Sequence, residues 1–235
     1  MFDVKTSSSA LLESGAHARE VTQASTEHSY TPIRTLSASH RGQILQHLLD
    51  LSAHDRYLRF GYPASDAQVQ RYVDGLDFTR DEVFGIHGSQ LELVAVAHLA
   101  FDAAEDKPKA AEFGVSVSGH CRGQRIGARL FERAVMHASN EGVQTMYIHA
   151  LSENVAMLKI ARKAGATVQR WGSESEAYLT LPVANLNSRL CAVWEDQIGE
   201  MDYRIKAQAH QFQTFLGQLQ TWGTLPEAEP LESTE

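Results

Sequence analysis

Cysteine is scarce: Cys121 and Cys191 are the two in 235 residues. They have neither CxxC spacing nor a partner pattern, which argues against a disulfide framework or a zinc site and leaves two free thiols. No apolar run approaches the ~18 residues of a membrane span, and the start MFDVKTSSSALLESG lacks the basic stretch and apolar block of a signal peptide. A cytoplasmic protein with no membrane partner is the expectation. Eleven histidines include no HExxH and no clustered ligand spacing, so no metal is expected. Positive charge is in deficit. The formal net charge is −8, with Glu227, Glu229, Glu232 and Glu235 gathered in the tail, which argues against a nucleic-acid partner.

What is present is enough apolar residue, 43%, to bury a core in one domain of ordinary size plus appendages. Residues 1–28 are rich in Ser, Thr, Ala and His without periodicity and are expected to form a mobile arm. Residues 29–182 carry alternating helix and strand patterns. Thr31 to Leu36 reads as a strand, and Ile44, Leu45, Leu48, Leu49 and Leu51 as a helix capped by Ser39. Ser65 and Asp66 open a second helix with Val69, Tyr72, Val73 and Leu76 on one face. Val83–His87 and Leu91–Phe101 form a hairpin through Gly88 and Ser89. Further strands are expected over Glu112–Val117, Met146–Ala150 and Ala177–Leu181. Helices are expected after Arg125 and over Asn154–Ala164, the second stopped by Gly165. This order predicts a three-layer α/β domain with a mixed central sheet. His98, on a strand, and His137, on a helix, read as packing or surface residues. Beyond Pro182, apolar residues from Leu186 to Leu219 recur every three to four positions, predicting a long amphipathic helical extension over 183–221 before an acidic tail, 222–235. Its apolar stripe suits a homodimer contact as well as packing on its own domain.

The most informative stretch is Glu112–Gly127, EFGVSVSGHCRGQRIG, where an apolar strand runs into an arginine- and glycine-rich turn that opens a helix. Gly123 and Gly127 leave room for close backbone approach, and the first helical turn offers unpaired N–H groups to an anion. Arg122, Arg125 and Arg129 add guanidinium donors. The order of residues meets neither the nucleoside-triphosphate loop nor the dinucleotide fingerprint, so the pyrophosphate must belong to another cofactor. Cys121 lies in this turn, where arginines would lower its pKa, but no relay accompanies it.

Here the chain resembles the GNAT superfamily of acyl-CoA-dependent N-acetyltransferases, whose signature [Q/R]-x-x-G-x-[G/A] is met by Arg122, Ile126 and Gly127, with Arg125 where the family has its first glycine. A second block, from His149 through Asn154, Met157, Ile160 and Lys163 to Gly165, is similar to the family's Asn-led helix. The segment Leu51–Phe60, together with Ala111-Glu112-Phe113, resembles the catalytic domain of bacterial protein lysine acetyltransferases. The likeness spans roughly Tyr30 to Pro182. It implies acetyl-CoA as cosubstrate and a sheet whose fourth and fifth strands splay apart. Val115, Ser116 and Val117 would hold the pantetheine arm, and a backbone amide there would polarise the acetyl carbonyl. Arg122, Gly123, Gln124, Arg125, Ile126, Gly127 and Ala128 would bind the pyrophosphate, and Asn154 would hydrogen-bond the cofactor arm. Glu112, partly buried, would act as the catalytic base toward an amine or protein-lysine acceptor. The family's proton-donating tyrosine is replaced by Ala161. Two readings follow: an acetyl-CoA-dependent N-acetyltransferase working by direct attack, or a non-catalytic acyl-CoA-binding sensor or interaction module. Loops around Asp55–Tyr62 and Asp102–Lys109 would shape the acceptor pocket.

Overall fold

The computed structural model describes residues 31–102, 109–182, 202–204 and 206–207. These belong to one compact unit that begins at Thr31. The arm expected at 1–28, the acidic tail and nearly all of the expected helical extension, the segment on which a homodimer contact was expected, lie outside the described residues.

Seven strands form one mixed sheet in the order β1-β2-β3-β4-β5-β7-β6. The strands are β1 Arg34–Leu36, β2 Glu82–His87, β3 Leu93–Phe101, β4 Ala110–Val117, β5 Thr145–Leu151, β6 Thr167–Trp171 and β7 Glu174–Thr180. The helices are α1 Arg41–Leu49, α2 Ala53–Phe60, α3 Asp66–Asp74, α4 Ile126–Asn140 and α5 Val155–Lys163. Every strand pair is antiparallel except β4–β5. The period-2 alternation of the strands feeds two cores. Phe84, Leu99, Phe113, Met146 and Ile148 meet Leu130, Phe131 and Ala134 of α4 and Met157 and Ala161 of α5. On the other side Leu36, Val83 and Val96 meet Ile44 and Leu48 of α1 and Val69 and Val73 of α3. Three layers result.

Two elements depart from the expectation. The stretch expected as a loop around Asp55 is helix α2: Ser52 caps it by accepting from the Asp55 amide (3.1 Å), and Gly61 ends it in the left-handed region at φ 79°. The expected late strand is the second arm of a hairpin whose first arm, β6, is mostly exposed and turns through Gly172, φ 63°. Smaller shifts occur at the start of the domain. The first strand contracts to Arg34–Leu36, and a short 3-10 turn, Ala38–His40, precedes α1, so Ser39 is inside a turn rather than a cap. The described helical residues near 203 return to the sheet. Tyr203 stands against the Arg34 guanidinium (3.9 Å) and the His87 ring (4.9 Å), and Lys206 donates to the His87 carbonyl (3.0 Å).

One buried polar contact pins α1 to the sheet. His47 bonds the Leu93 carbonyl and the Ser116 hydroxyl, each at 2.9 Å. Burial, only partly offset by the bond to Leu93, lowers its pKa from 6.5 to about 4. The unfolded chain therefore takes up this proton near pH 6.5, while the folded chain resists it until about 4. Stability from this residue is complete above the first value and drains as the pH falls toward the second. The expected loss is on the order of 3 kcal/mol. Denaturant melts from pH 7 to pH 4 should show it, and His47→Gln should flatten that slope even while lowering stability at pH 7; an unchanged slope would assign the acid sensitivity elsewhere.

Candidate active site

β4 and β5 pair only at Ala110–Thr145, Ala111–Met146 and Glu112–Tyr147. Beyond Glu112 the two strands part, while β4 stays paired with β3 as far as Val117 and β5 with β7 as far as Leu151. The gap opens into two arms that share Leu58, Arg59, Val115, Asn154 and Met157.

The first arm, about 610 Å³, is walled by β4, the anion turn and the faces of α2, α4 and α5. Val115, Ser116, Val117, Arg122, Gly123, Arg125, Ile126, Gly127, Ala128 and Asn154 all line it. Gln124 does not. Arg129 does not either; its Nη2 donates to the Thr31 carbonyl (2.5 Å) and so ties α4 to the start of the domain. Ser116 lends its position in β4, while its hydroxyl is engaged by His47. Asn154 caps α5, its Oδ1 accepting from the Met157 amide (3.1 Å), which leaves its amide NH2 to face a ligand. Sequence reasoning missed Lys159, which adds a cation to this arm; Asp55, Leu58 and Arg59 lie in the segment expected to shape the acceptor pocket, and they line this arm from helix α2 rather than from a loop. The signal for α2 was present as Ser52-x-x-Asp55, the spacing of a helix start, followed by Gly61.

The turn is held in a form that suits an anion. Gly123 has φ 78°, and Arg125, the residue before α4, has φ 61°, the left-handed region that costs a side-chain-bearing residue about 1 kcal/mol or more. A Cβ on Gly127 would meet only Ile160 at 3.5 Å and Val117 at 3.8 Å, so packing does not demand this glycine and its bare face is space for a ligand. Arg122 is already engaged, its Nη2 lying 2.5 Å from Asp55 Oδ1. Burial opposes ionisation of Asp55, but Arg122 and Ser52 outweigh it and hold the carboxyl below its usual range. Cys121 runs against expectation: burial first, then Glu92, pushes its thiol up, so the nearby arginines do not activate it.

The second arm, about 600 Å³, carries Glu112, His149, Glu174 and Glu176 on the sheet face opposite α4 and α5, with Trp171 on its wall. Trp171 is 69% exposed. Glu112 stands where the strands part, exposed rather than partly buried. His98, on the same face two residues along from Ala100, the partner of Glu112, is not mere packing. It bonds Tyr72 Oη (2.9 Å) and Asp81 Oδ2 (3.2 Å). His137 does pack, against Phe84 and Phe101. Among the described residues, no cluster of three or more His, Cys, Asp or Glu is placed to hold a metal ion, and no helix is long and apolar enough to cross a membrane.

The mixed sheet parted beside an arginine- and glycine-rich turn lies where the chain matches a family of acyl-CoA-dependent transferases. The acetyltransferase (GNAT) family matches residues 45–166, just over half of the chain, and the protein belongs to that family. It is accordingly an N-acetyltransferase that uses acetyl-CoA as cosubstrate. No curated protein matches the chain. Similar solved structures include the GNAT domain of S. lividans PAT, at 21% identity over 63% of this chain and 89% of that one, TM-score 0.54. Another is yncA of Salmonella typhimurium, which holds its cofactor acetyl-CoA, at 16% identity over 67% and 97%, TM-score 0.52. A third is an N-acetyltransferase from Staphylococcus aureus Mu50, at 16% identity over 66% and 100%, TM-score 0.50.

Two outcomes are expected at the turn. Arg125→Gly should raise stability to urea by about 1 kcal/mol through relief of the left-handed residue, while weakening acetyl-CoA binding by removal of a guanidinium. Asp55→Asn should tighten acetyl-CoA binding about threefold to tenfold in calorimetry, because Arg122 no longer shares its charge with a carboxylate. Weaker binding by Asp55→Asn would instead make Asp55 the group that aims Arg122.

Proposed function

We propose that this protein moves the acetyl group of acetyl-CoA directly to an amine, with a protein lysine side chain as the favoured acceptor and Glu112 as the base. The observation that carries the reading is the parting of β4 and β5 just past Glu112, which sets a carboxylate beside an open strand edge. Residues 115–117 of that edge offer backbone groups to an extended pantetheine, as an added strand would be received. Arg122, Arg125 and the first turn of α4 take the pyrophosphate. Lys159 and Lys163 line the same arm and add to its positive charge.

An alkylammonium acceptor, with a pKa near ~10.4, must lose a proton before its nitrogen can attack. Glu112 removes it, directly or through a water. The nitrogen lone pair then attacks the thioester carbon, and the carbonyl electrons move to oxygen, facing the Val115 amide. Collapse re-forms the carbonyl and breaks the C–S bond, whose electrons leave on sulfur. The attacking nitrogen, cationic once its lone pair is shared, sheds its second proton to solvent; the products are the N-acetyl amine and CoA, whose thiolate regains a proton from the medium. A cationic acceptor suits an arm walled by Glu112, Glu174 and Glu176, and the exposed Trp171 offers a surface for a polypeptide that carries the lysine.

The second reading, a non-catalytic acyl-CoA-binding module, draws on Ala161, which stands fully buried where the family has its tyrosine hydroxyl. Glu112→Gln separates the two. Turnover, followed as CoA release from acetyl-CoA with a lysine peptide as acceptor, should fall at least a hundredfold while calorimetric acetyl-CoA affinity stays within about threefold. Unchanged turnover would remove Glu112 from the mechanism, and no turnover in the unsubstituted protein despite tight binding would favour the sensor.

A further inference from the structure

Arg59 sits on the wall common to both arms of the cleft, beside Val115. Its guanidinium covers Gly114: a Cβ there would lie 2.8 Å from Cζ and Nη2 and 2.9 Å from Nη1, so the missing side chain is what lets the cation rest on β4. The rings of Phe60 (5.4 Å) and Tyr72 (5.2 Å) flank it. Among the described residues, no carboxylate forms an ion pair with it. A half-buried cation held by aromatic faces and a phenol, with Glu112 in the same arm but no carboxylate in ion-pair contact, is poised to receive an anion.

The hydrogen bonds that fix Arg59 run in one direction. Arg59 Nη2 donates to Tyr72 Oη (2.7 Å). Asp81 accepts from both Arg80 nitrogens (2.8 and 3.1 Å) and from the Phe101 amide (3.2 Å), so its carboxylate is anchored. A carboxylate only accepts, so His98 Nε2 carries the proton toward Asp81. Burial first, then the charge of Arg59, keeps His98 neutral, which makes its Nδ1 an acceptor for the Tyr72 hydroxyl. Tyr72 therefore turns a lone pair to Arg59. The chain Asp81–His98–Tyr72 has no free rotor, and it ends on the cleft wall.

We propose that Arg59 is the fixed cation that stabilises the negative charge passing from the thioester oxygen to the departing sulfur, held in place by Tyr72, His98 and Asp81 as positioning residues. The alternative anion, a carboxylate on the acceptor, is disfavoured because the acceptor arm already carries Glu112, Glu174 and Glu176. The charge that Arg59 meets must come from the cofactor side. It does there what a proton donor would do: the C–S electrons leave on sulfur next to a guanidinium, and no proton need be delivered in the same step. This rests on the reading of the cleft as an acetyl-transfer site.

The test uses the full chain with acetyl-CoA, following CoA release both to a lysine peptide and to water, since slow hydrolysis passes through the same oxyanion. Arg59→Ala should lower kcat about a hundredfold or more with the KM for acetyl-CoA within threefold, and added guanidinium should restore part of the rate. Tyr72→Phe should cost roughly tenfold alone and almost nothing on top of Arg59→Ala, because it acts through that residue. Gly114→Ala, which displaces the guanidinium, should resemble Arg59→Ala. If Arg59→Ala does not fold, Tyr72→Phe and Arg59→Lys carry the test at unchanged melting temperature. A kcat unchanged in these variants, a loss confined to KM, or full additivity of the Tyr72 and Arg59 changes would overturn the assignment. Failure of the acetyl-transfer reading looks different: the unsubstituted protein would bind acetyl-CoA yet release CoA neither to peptide nor to water, and the assignment of Arg59 would fall with it.

Discussion

The parting of two strands in the middle of a sheet governs everything else in this molecule. After Glu112 and Tyr147 the parallel pairing stops, yet neither strand is released. β3 holds β4 along Ala111–Val117, and β7 holds β5 along Thr145–Leu151. Two rows of backbone donors and acceptors thus face a gap that ordinary sheet folding would close, and an unpaired edge is a strong invitation to an extended chain. The antiparallel neighbours make the opening rigid, so the cost of exposing those groups is met by the stability of the whole sheet rather than by local contacts. In the proposed function that extended chain is the pantetheine arm of the cosubstrate.

Charge divides the same gap. On the α4 and α5 side, Arg122, Arg125, Lys159 and Lys163 surround the helix start, with apolar walls from Val117, Phe131 and Ile160. On the far side the wall is glutamate and histidine. Under the proposed function, this division would sort an anionic cosubstrate and a cationic acceptor to opposite arms before either makes a specific contact. Strain marks the division: Arg125 occupies a left-handed backbone position that glycine takes freely, so the turn keeps an extra cation at the expense of an unfavourable φ.

Much of this was legible in the sequence because the responsible residues are close in the chain. The strand, turn and helix of Glu112–Gly127 are contiguous; Arg122, Gly123, Arg125 and Gly127 fall in the cleft as the local pattern implies, and Val115 as the family resemblance implies. Where the reading faltered, contacts are distant. Arg129 is one helical turn from Arg125, and only the tertiary fold turns it to the Thr31 carbonyl, 98 positions away. Strand β6 lacks an apolar face because it lies at the sheet edge, and so gives no alternating signal. The set of Arg59, Tyr72, Asp81 and His98 comes from two helices, a loop and a strand, and nothing in the spacing of those residues announces that they meet.

Ala161 links the packing of α5 to the chemistry of the leaving group. It is fully buried, packed in the core that α5 forms with the sheet, so no side chain at that position supplies a proton to the leaving sulfur. A thiol with a pKa near ~8.5 is a tolerable leaving group as its anion, and what it needs at neutral pH is less a proton than an adjacent positive charge. Arg59 on α2 provides that charge, and the hydrogen bonds running through Tyr72, His98 and Asp81 keep it still. Preorganised charge and a delivered proton are alternative ways to stabilise the same departing electrons. A site that has the first can lose the second, which makes the alanine consistent with catalysis instead of evidence against it.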